Sequence, residues 1–307
     1  MGLFNSYMKE GPGVDKNEPK KRGFFLFFDI VIHKASKLLG ANCLLFLTSL
    51  PWIVILYFFA ALALSNTGIA ERIASAITAA DNTVNLEEAV ASISIMLRLL
   101  IAMGIFVLWG SGPSSAAYSY VNRCFTRSEP VWVWSDGKDK FIENFKQGML
   151  VILIDAVILV FSVNAMLFYY SFYASTHSFI WMLLTYIMVL MLVVYTFMHP
   201  YIYQIMVTFE CNIGVIYKNA LIISLAKLPG NVFTTLISAA VVLLIFNIMD
   251  PLYASLFLGV FGLFVSRYAA DFYAARVIEK NMLRNMKAKQ DKAPQIEYLD
   301  DEEDAAE

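Results

Sequence analysis

The sequence predicts an all-α fold, a polytopic membrane protein built as a six-transmembrane-helix bundle with amphipathic helices on its cytoplasmic side. Three observations predict it. The chain of 307 residues is 59% hydrophobic and 16% charged, with a mean hydropathy of +0.63. Soluble domains run at roughly 45–50% apolar and about 25% charged, so this excess has no single soluble core to fill. Six stretches approach the ~20 apolar residues needed to cross a hydrocarbon core about 30 Å thick. All but two of the 23 Lys and Arg residues lie at the termini, in alternate connections between those stretches or, as Arg267 does, at the flank of the last one.

Taken in order, residues 1–39 are expected as an N-terminal cytoplasmic segment. The polar run Lys9 to Arg22, with Pro12 and Pro19, replaces the apolar core that a cleavable signal requires. Met1-Gly2 with Ser6 fits the myristoylation pattern, a match short enough for chance to supply. Phe24 to Leu39 combines phenylalanines with Lys34 and Lys37 and reads as a helix lying at the membrane surface. The six expected spans are residues 40–64, 93–117, 149–170, 179–199, 232–249 and 252–270, which together make residues 40–270 the membrane domain. Asp250-Pro251 separates the last two, a turn signal that makes them a hairpin rather than one long helix. Residues 271–307 are expected as a cytoplasmic basic helix followed by a disordered acidic tail ending YLDDEEDAAE.

The two exceptions to the charge segregation are Arg72, after the first span, and Arg98, inside the second. Lys and Arg gather on the cytoplasmic side, so both termini are placed there, in a plasma membrane. In the first outer loop Ile69, Ile73, Ala76, Ile77 and Ala80 share a helical face and are expected to extend the first span outward. The second outer loop is uncharged and crowded by Tyr169, Tyr170, Phe172, Tyr173, Phe179 and Trp181. An interfacial aromatic belt accounts for them, with a sugar-stacking platform as the alternative.

In the central cytoplasmic loop, Ser135 or Asp136 is expected to cap a helix. Phe141, Ile142, Phe145 and Met149 then share one face, opposite Lys138, Lys140, Glu143 and Lys146. A third amphipathic stretch carries Val277, Leu283 and Met286 among basic residues. Such faces anchor to the lipid bilayer through anionic headgroups, or dock a cytoplasmic partner. The candidate docking residues are Trp134, Asp136, Phe141, Phe145 and Lys146.

Charges inside the membrane are functional suspects. Arg98 falls roughly 8 Å into the second span from outside, and Asp155 roughly 9 Å into the third from inside, at 1.5 Å per residue. They occupy opposite leaflets, so a direct pair is not expected. Asp155 is expected to face the bundle and accept a bond from Ser162 or a neighbouring span. His199 reads as a satisfied interfacial histidine. Gly110-Ser111-Gly112-Pro113 is neither a nucleophile elbow nor a phosphate loop; it signals a kink or a close helix approach. Cys43, Cys124 and Cys211 are widely spaced, and His33, His177 and His199 lack ligand spacing. No catalytic constellation, metal site, cofactor site or nucleic-acid footprint is expected, and the chain does not read as an enzyme.

One further pattern carries a resemblance. Gly112-Pro113 with Ala116-Ala117, Arg123, Trp134-Ser135-Asp136, and Phe141 with Asn144 to Gly148 form a central motif. Met206 to Phe209, Ile216 to Ala220 and Lys227-Leu228-Pro229 form a second, and FFLFFDIV precedes the first span. On these residues the chain resembles the YesL-like family of bacterial membrane proteins, a domain of unknown function, over residues 1–290. The resemblance implies a handful of transmembrane helices in a Gram-positive bacterium, and genes neighbouring carbohydrate ABC transporters. It implies an accessory or regulatory component beside such an uptake system, with ABC transporter subunits as partners. The alternative is a permease-like subunit that moves a small solute itself. Lys227-Leu228-Pro229 resembles part of a permease coupling loop, but Lys218-Asn219-Ala220 stands where such loops carry Glu-Ala-Ala.

Overall fold

The computed structural model describes residues 23–65, 67–80, 85–264 and 266–283. The expectations for the N-terminal pattern, for Met286 and for the acidic tail lie outside them. The described residues are almost wholly helical and contain no strand. The chain opens with α1 (Gly23–His33) and α2 (Ala35–Ser65), then the short α3 (Ile69–Ala80) and the long α4 (Leu86–Trp109). Next come α5 (Pro113–Arg127), α6 (Val133–Glu143), α7 (Phe145–Thr176), α8 (Phe179–Met206) and α9 (Ile213–Ala226). α10 (Leu228–Ile248), α11 (Pro251–Val260), a 3-10 turn (Gly262–Phe264), α12 (Arg267–Ile278) and a π-helical turn (Glu279–Leu283) complete it.

Five of these helices, α2, α4, α7, α8 and α10, are long and apolar enough to cross a membrane. Together they make the chain a multi-pass membrane helical bundle. The expected sixth span is not one helix: residues 252–270 divide into α11, the 3-10 turn and the start of α12. Hydropathy is blind to that division, because both halves are apolar.

Local chemistry sets most boundaries. Asn85 accepts the Glu87 N–H at 2.9 Å and starts α4, with Glu87 and Glu88 favourably placed in its first turn. Asp250 accepts the Leu252 N–H at 3.1 Å, and Pro251 fills the first position of α11, where its missing N–H costs nothing. The expected hairpin between α10 and α11 is therefore present. α3 is a separate helix rather than an extension of α2; it turns at Gly68 and buries Ala74 against Ala89 and Ile93. α6 begins at least three residues earlier than expected, with Trp132 rather than Ser135 or Asp136 at its N-cap, and Asp136 caps from within: its Oδ2 accepts the Trp132 N–H at 2.9 Å.

α5 is the hub. All its residues except Tyr120, Arg123 and Arg127 are buried, against α2, α6, α7, α8 and α12. One end of the bundle, hereafter the basic end, carries α6, the α8–α9 turn and a set of cations resting on aromatic rings. Lys34 Nζ lies 5.4 Å from the Phe125 ring centre, while Arg123 and Lys140 flank Tyr120 at 5.2 and 5.1 Å.

Candidate functional site

Asp155 lies on α7 and is buried. Its partners come from α8, not from Ser162. Tyr195 Oη donates to Asp155 Oδ1 at 2.6 Å, and His199 Nε2 lies 3.0 Å from the same oxygen. His199 is fully buried and is satisfied within the protein. Its other nitrogen, Nδ1, meets the Tyr195 carbonyl at 3.1 Å. Both of its neighbours are acceptors. Trp109 of α4 stacks on the imidazole at 5.1 Å and 10°, and donates Nε1–H to Thr196 at 2.9 Å. Tyr217 of α9 brings its hydroxyl to 3.3 Å from that of Tyr195. Four helices thus converge on one carboxylate.

The depth of this cluster follows from helix length. Asp155 to Thr176 covers about 31 Å of α7, and Phe179 to His199 about 30 Å of α8, at 1.5 Å per residue. The pair therefore sits about one hydrocarbon thickness from the α7–α8 turn, towards the basic end. Arg98 lies elsewhere, on α4, half-buried, with its Nε unpartnered.

Next to the cluster the α4–α5 connection breaks the helix. Gly110 and Gly112 have φ of +87° and +58°, values that disfavour side chains. A Cβ on Gly110 would stand 2.3 Å from Ser115 Oγ and 2.8 Å from Arg267 Nη2. The exposed backbone groups are satisfied by side chains, as burial demands. Trp52 Nε1–H donates to the Gly110 carbonyl at 3.1 Å, Ser115 Oγ accepts the Ser111 N–H at 2.8 Å, and Tyr203 Oη accepts the Gly112 N–H at 3.1 Å. Ser49 and Ser111 share a hydroxyl–hydroxyl bond.

The α11–α12 break faces this one. Arg267, the first residue of α12, is buried; its Nη1 donates to the Val107 carbonyl at 3.2 Å and its guanidinium lies 5.4 Å from the Tyr203 ring centre. One turn on, Asp271 Oδ2 accepts from Ser119 Oγ at 3.0 Å and Asn122 Nδ2 at 3.2 Å. Gln204 Nε2 donates to the Ser119 carbonyl at 3.1 Å. Ser115, Ser119 and Asn122 therefore form a polar stripe along α5, continued by Ser111 just before it, and Ser119 and Asn122 face α12.

The candidate docking residues lie on the α6–α7 elbow. Trp134 is 56% exposed and Phe145 46%. Phe141 is half-buried, 5.8 Å from Phe145, Asp136 is occupied in capping, and Lys146 is exposed. Lys146 also borders a crevice of about 710 Å³ with Asn144, Gln147, Thr208 and Asn212. Gln147 Nε2 bridges across it to the Cys211 carbonyl at 3.1 Å, and Arg123 Nη1 donates to the Val207 carbonyl at 2.7 Å.

Sequence reasoning singled out Asp155 without His199 or Tyr195, and counted Arg267 as a flanking cation. It passed over Ser119, Asn122, Gln204 and Asp271. Their signal was present: polar residues at i, i+4, i+8 and i+11 from Ser111 form a stripe on a helix that otherwise reads as the end of a span. Among the described residues no group of three or more His, Cys, Asp or Glu side chains could hold a metal ion. The fold and the buried polar cluster define a class, a multi-pass helical membrane protein with an ionisable core near one end of its bundle. No family model matches the chain, and neither a curated protein nor a solved structure does.

Proposed function

We propose that this chain is a plasma-membrane protein of six crossings, with α11 and the start of α12 completing the sixth and both termini in the cytoplasm. It acts as an accessory component of a carbohydrate ABC uptake system, docking a transporter subunit through the α6–α7 elbow. The observation that carries the reading is an apolar face held outward on a rigid element. α6 is fixed to α2 by Val133 and by Gly137, whose Cβ position lies 3.1 Å from Leu44. Its free side presents Trp132, Trp134 and Ile142, continuing into Phe145 on α7. An exposed apolar patch rimmed by charge marks a protein or membrane contact. The gathering of lysines and arginines at this end supports its cytoplasmic orientation, and the resemblance to the YesL-like family supports the transporter association. A photo-crosslinker placed at Trp134 or Phe145 in native membranes is expected to trap a transporter subunit. Recovery of lipid adducts alone would refute the docking role.

A second reading, a permease-like subunit, is favoured by the buried Asp155–His199 pair. Broken helices and ionisable residues at membrane depth recur where solutes pass. It predicts solute uptake by the purified protein in liposomes, lost in Asp155→Asn. Uptake equal to that of empty liposomes would exclude it.

A further inference from the structure

We propose that the junction of α5, α8 and α12 is a binding site for a small zwitterion with a primary ammonium and a carboxylate, the chemistry of an α-amino acid. The inference is independent of the docking role.

Among the described residues, eight buried side-chain nitrogen or oxygen atoms lack a hydrogen-bond partner, and six belong to this junction. They are Nε and Nη2 of Arg267, Oδ1 of Asn122, Oε1 of Gln204, Oδ1 of Asp271 and the Tyr268 hydroxyl. Arg267 is 1% exposed and Asp271 0%, so water at the surface serves neither. They lie one turn apart on α12, yet neither meets the other's free atoms. Opposite charges this close and this deep normally pair or find hydrogen bonds.

The free atoms sort by type. On Arg267, Nη1 is used by the Val107 carbonyl and the end of the guanidinium is closed by Gly110. That leaves Nε–H and Nη2–H, the side-on edge whose parallel donors match the two oxygens of a carboxylate. Around Ser119 the free atoms are acceptors. The amide orientations are set by their other bonds: Asn122 Nδ2 donates to Asp271 Oδ2, and Gln204 Nε2 donates to the Ser119 carbonyl. The free atoms of Asn122, Gln204 and Asp271 are therefore three oxygens, one of them from a carboxyl. A primary ammonium offers three N–H donors. The two helix breaks meet here, and irregular backbone at such depth is tolerated where it is enclosed by protein or lines a site. The crevice at the basic end includes Met206 and Thr208, within about one turn of Gln204 along α8, which brings solvent close to the junction.

The test uses the full chain purified in mild detergent, with equilibrium binding of radiolabelled glycine, L-alanine and L-serine and thermal unfolding in their presence. Trimethylglycine, acetate and methylammonium serve as contrasts: the first keeps both charges but has no N–H, and the others carry one charge each. The expected result is saturable binding and a raised Tm with at least one primary amino acid, and neither effect with the three contrasts. Arg267→Lys keeps the charge and loses the paired edge, and Asp271→Asn keeps the shape. Each is expected to weaken binding at least tenfold. Should either fail to fold, Gln204→Leu removes one acceptor and is expected to weaken binding severalfold. The proposal is overturned if no amino acid binds, which would leave ordered water alone at the junction. Binding of trimethylglycine equal to that of glycine, or binding untouched in the folded variants, overturns it as well.

Discussion

His199 and Asp155 are a residue-scale problem of solvation. Neither reaches water, and each answers the other at 3.0 Å. Removing one partner of such a pair leaves an uncompensated polar group and costs about 3 kcal/mol or more. Asp155→Asn and His199→Gln are each expected to lose that much stability, measured by reversible unfolding in micelles. The double variant should lose clearly less than the two losses combined, because both remove one shared interaction. Strict additivity would mean that the two side chains do not act as a unit. The sequence exposed one half of this arrangement. A carboxylate inside an apolar run is conspicuous, whereas His199, four residues after Tyr195 and just before Pro200, looks like the end of a span. Its role depends on which helix lies opposite, and no local pattern encodes that.

At the scale of the element, two glycines in one helical stretch behave oppositely. Gly104, in the middle of α4, has nothing within 4 Å of its Cβ position, while Gly110 closes the helix at positive φ against Ser115 and Arg267. Gly104→Ala is expected to stabilise by roughly 0.5–1 kcal/mol, the helical cost of glycine. Gly110→Ala is expected to destabilise by about 2 kcal/mol or more, since strained backbone and contact add. Thermal unfolding of the two variants side by side checks the contrast; equal effects would place the break elsewhere. The kink signal at Gly110-Ser111-Gly112-Pro113 was legible, since glycines before a proline announce it. The break between α11 and α12 was not, because the sequence on either side stays apolar, with Ser266 alone just before Arg267. The amphipathic α6 was legible from its charge pattern. Its starting residue was not, because Asp136 caps backwards to Trp132 instead of forwards.

The molecule as a whole was legible in outline and illegible in its pairings. Hydrophobic length and charge alternation found the long helices. Their neighbours stayed hidden, because helices apolar all round carry no face to read. The orientation can be tested with Cys211, half-exposed beside the crevice at the basic end. In a variant lacking Cys43 and Cys124, a membrane-impermeant maleimide should label Cys211 only after permeabilisation. Labelling of intact cells would invert the topology. Burial pushes the Cys211 thiol above its ordinary value. The thiolate is the reactive form, so labelling should keep accelerating as pH rises past about 8.5, where a free thiol is already half ionised.

No residue of α7 beyond Ser162 is buried, and none of α8 before Tyr195. Trp181 binds the tips of the two helices together through Phe168, Tyr169 and Phe172. Some 20 Å of the pair, at 1.5 Å per residue, thus stands clear of its neighbours like a mast. Hydrocarbon chains are the medium that flanks it, so their length sets its tilt. Because the mast is rooted in Asp155 and His199, shortening the lipid acyl chains from eighteen carbons to fourteen should lean on that root and lower the unfolding temperature. The Asp155→Asn protein, its root already loosened, should respond less.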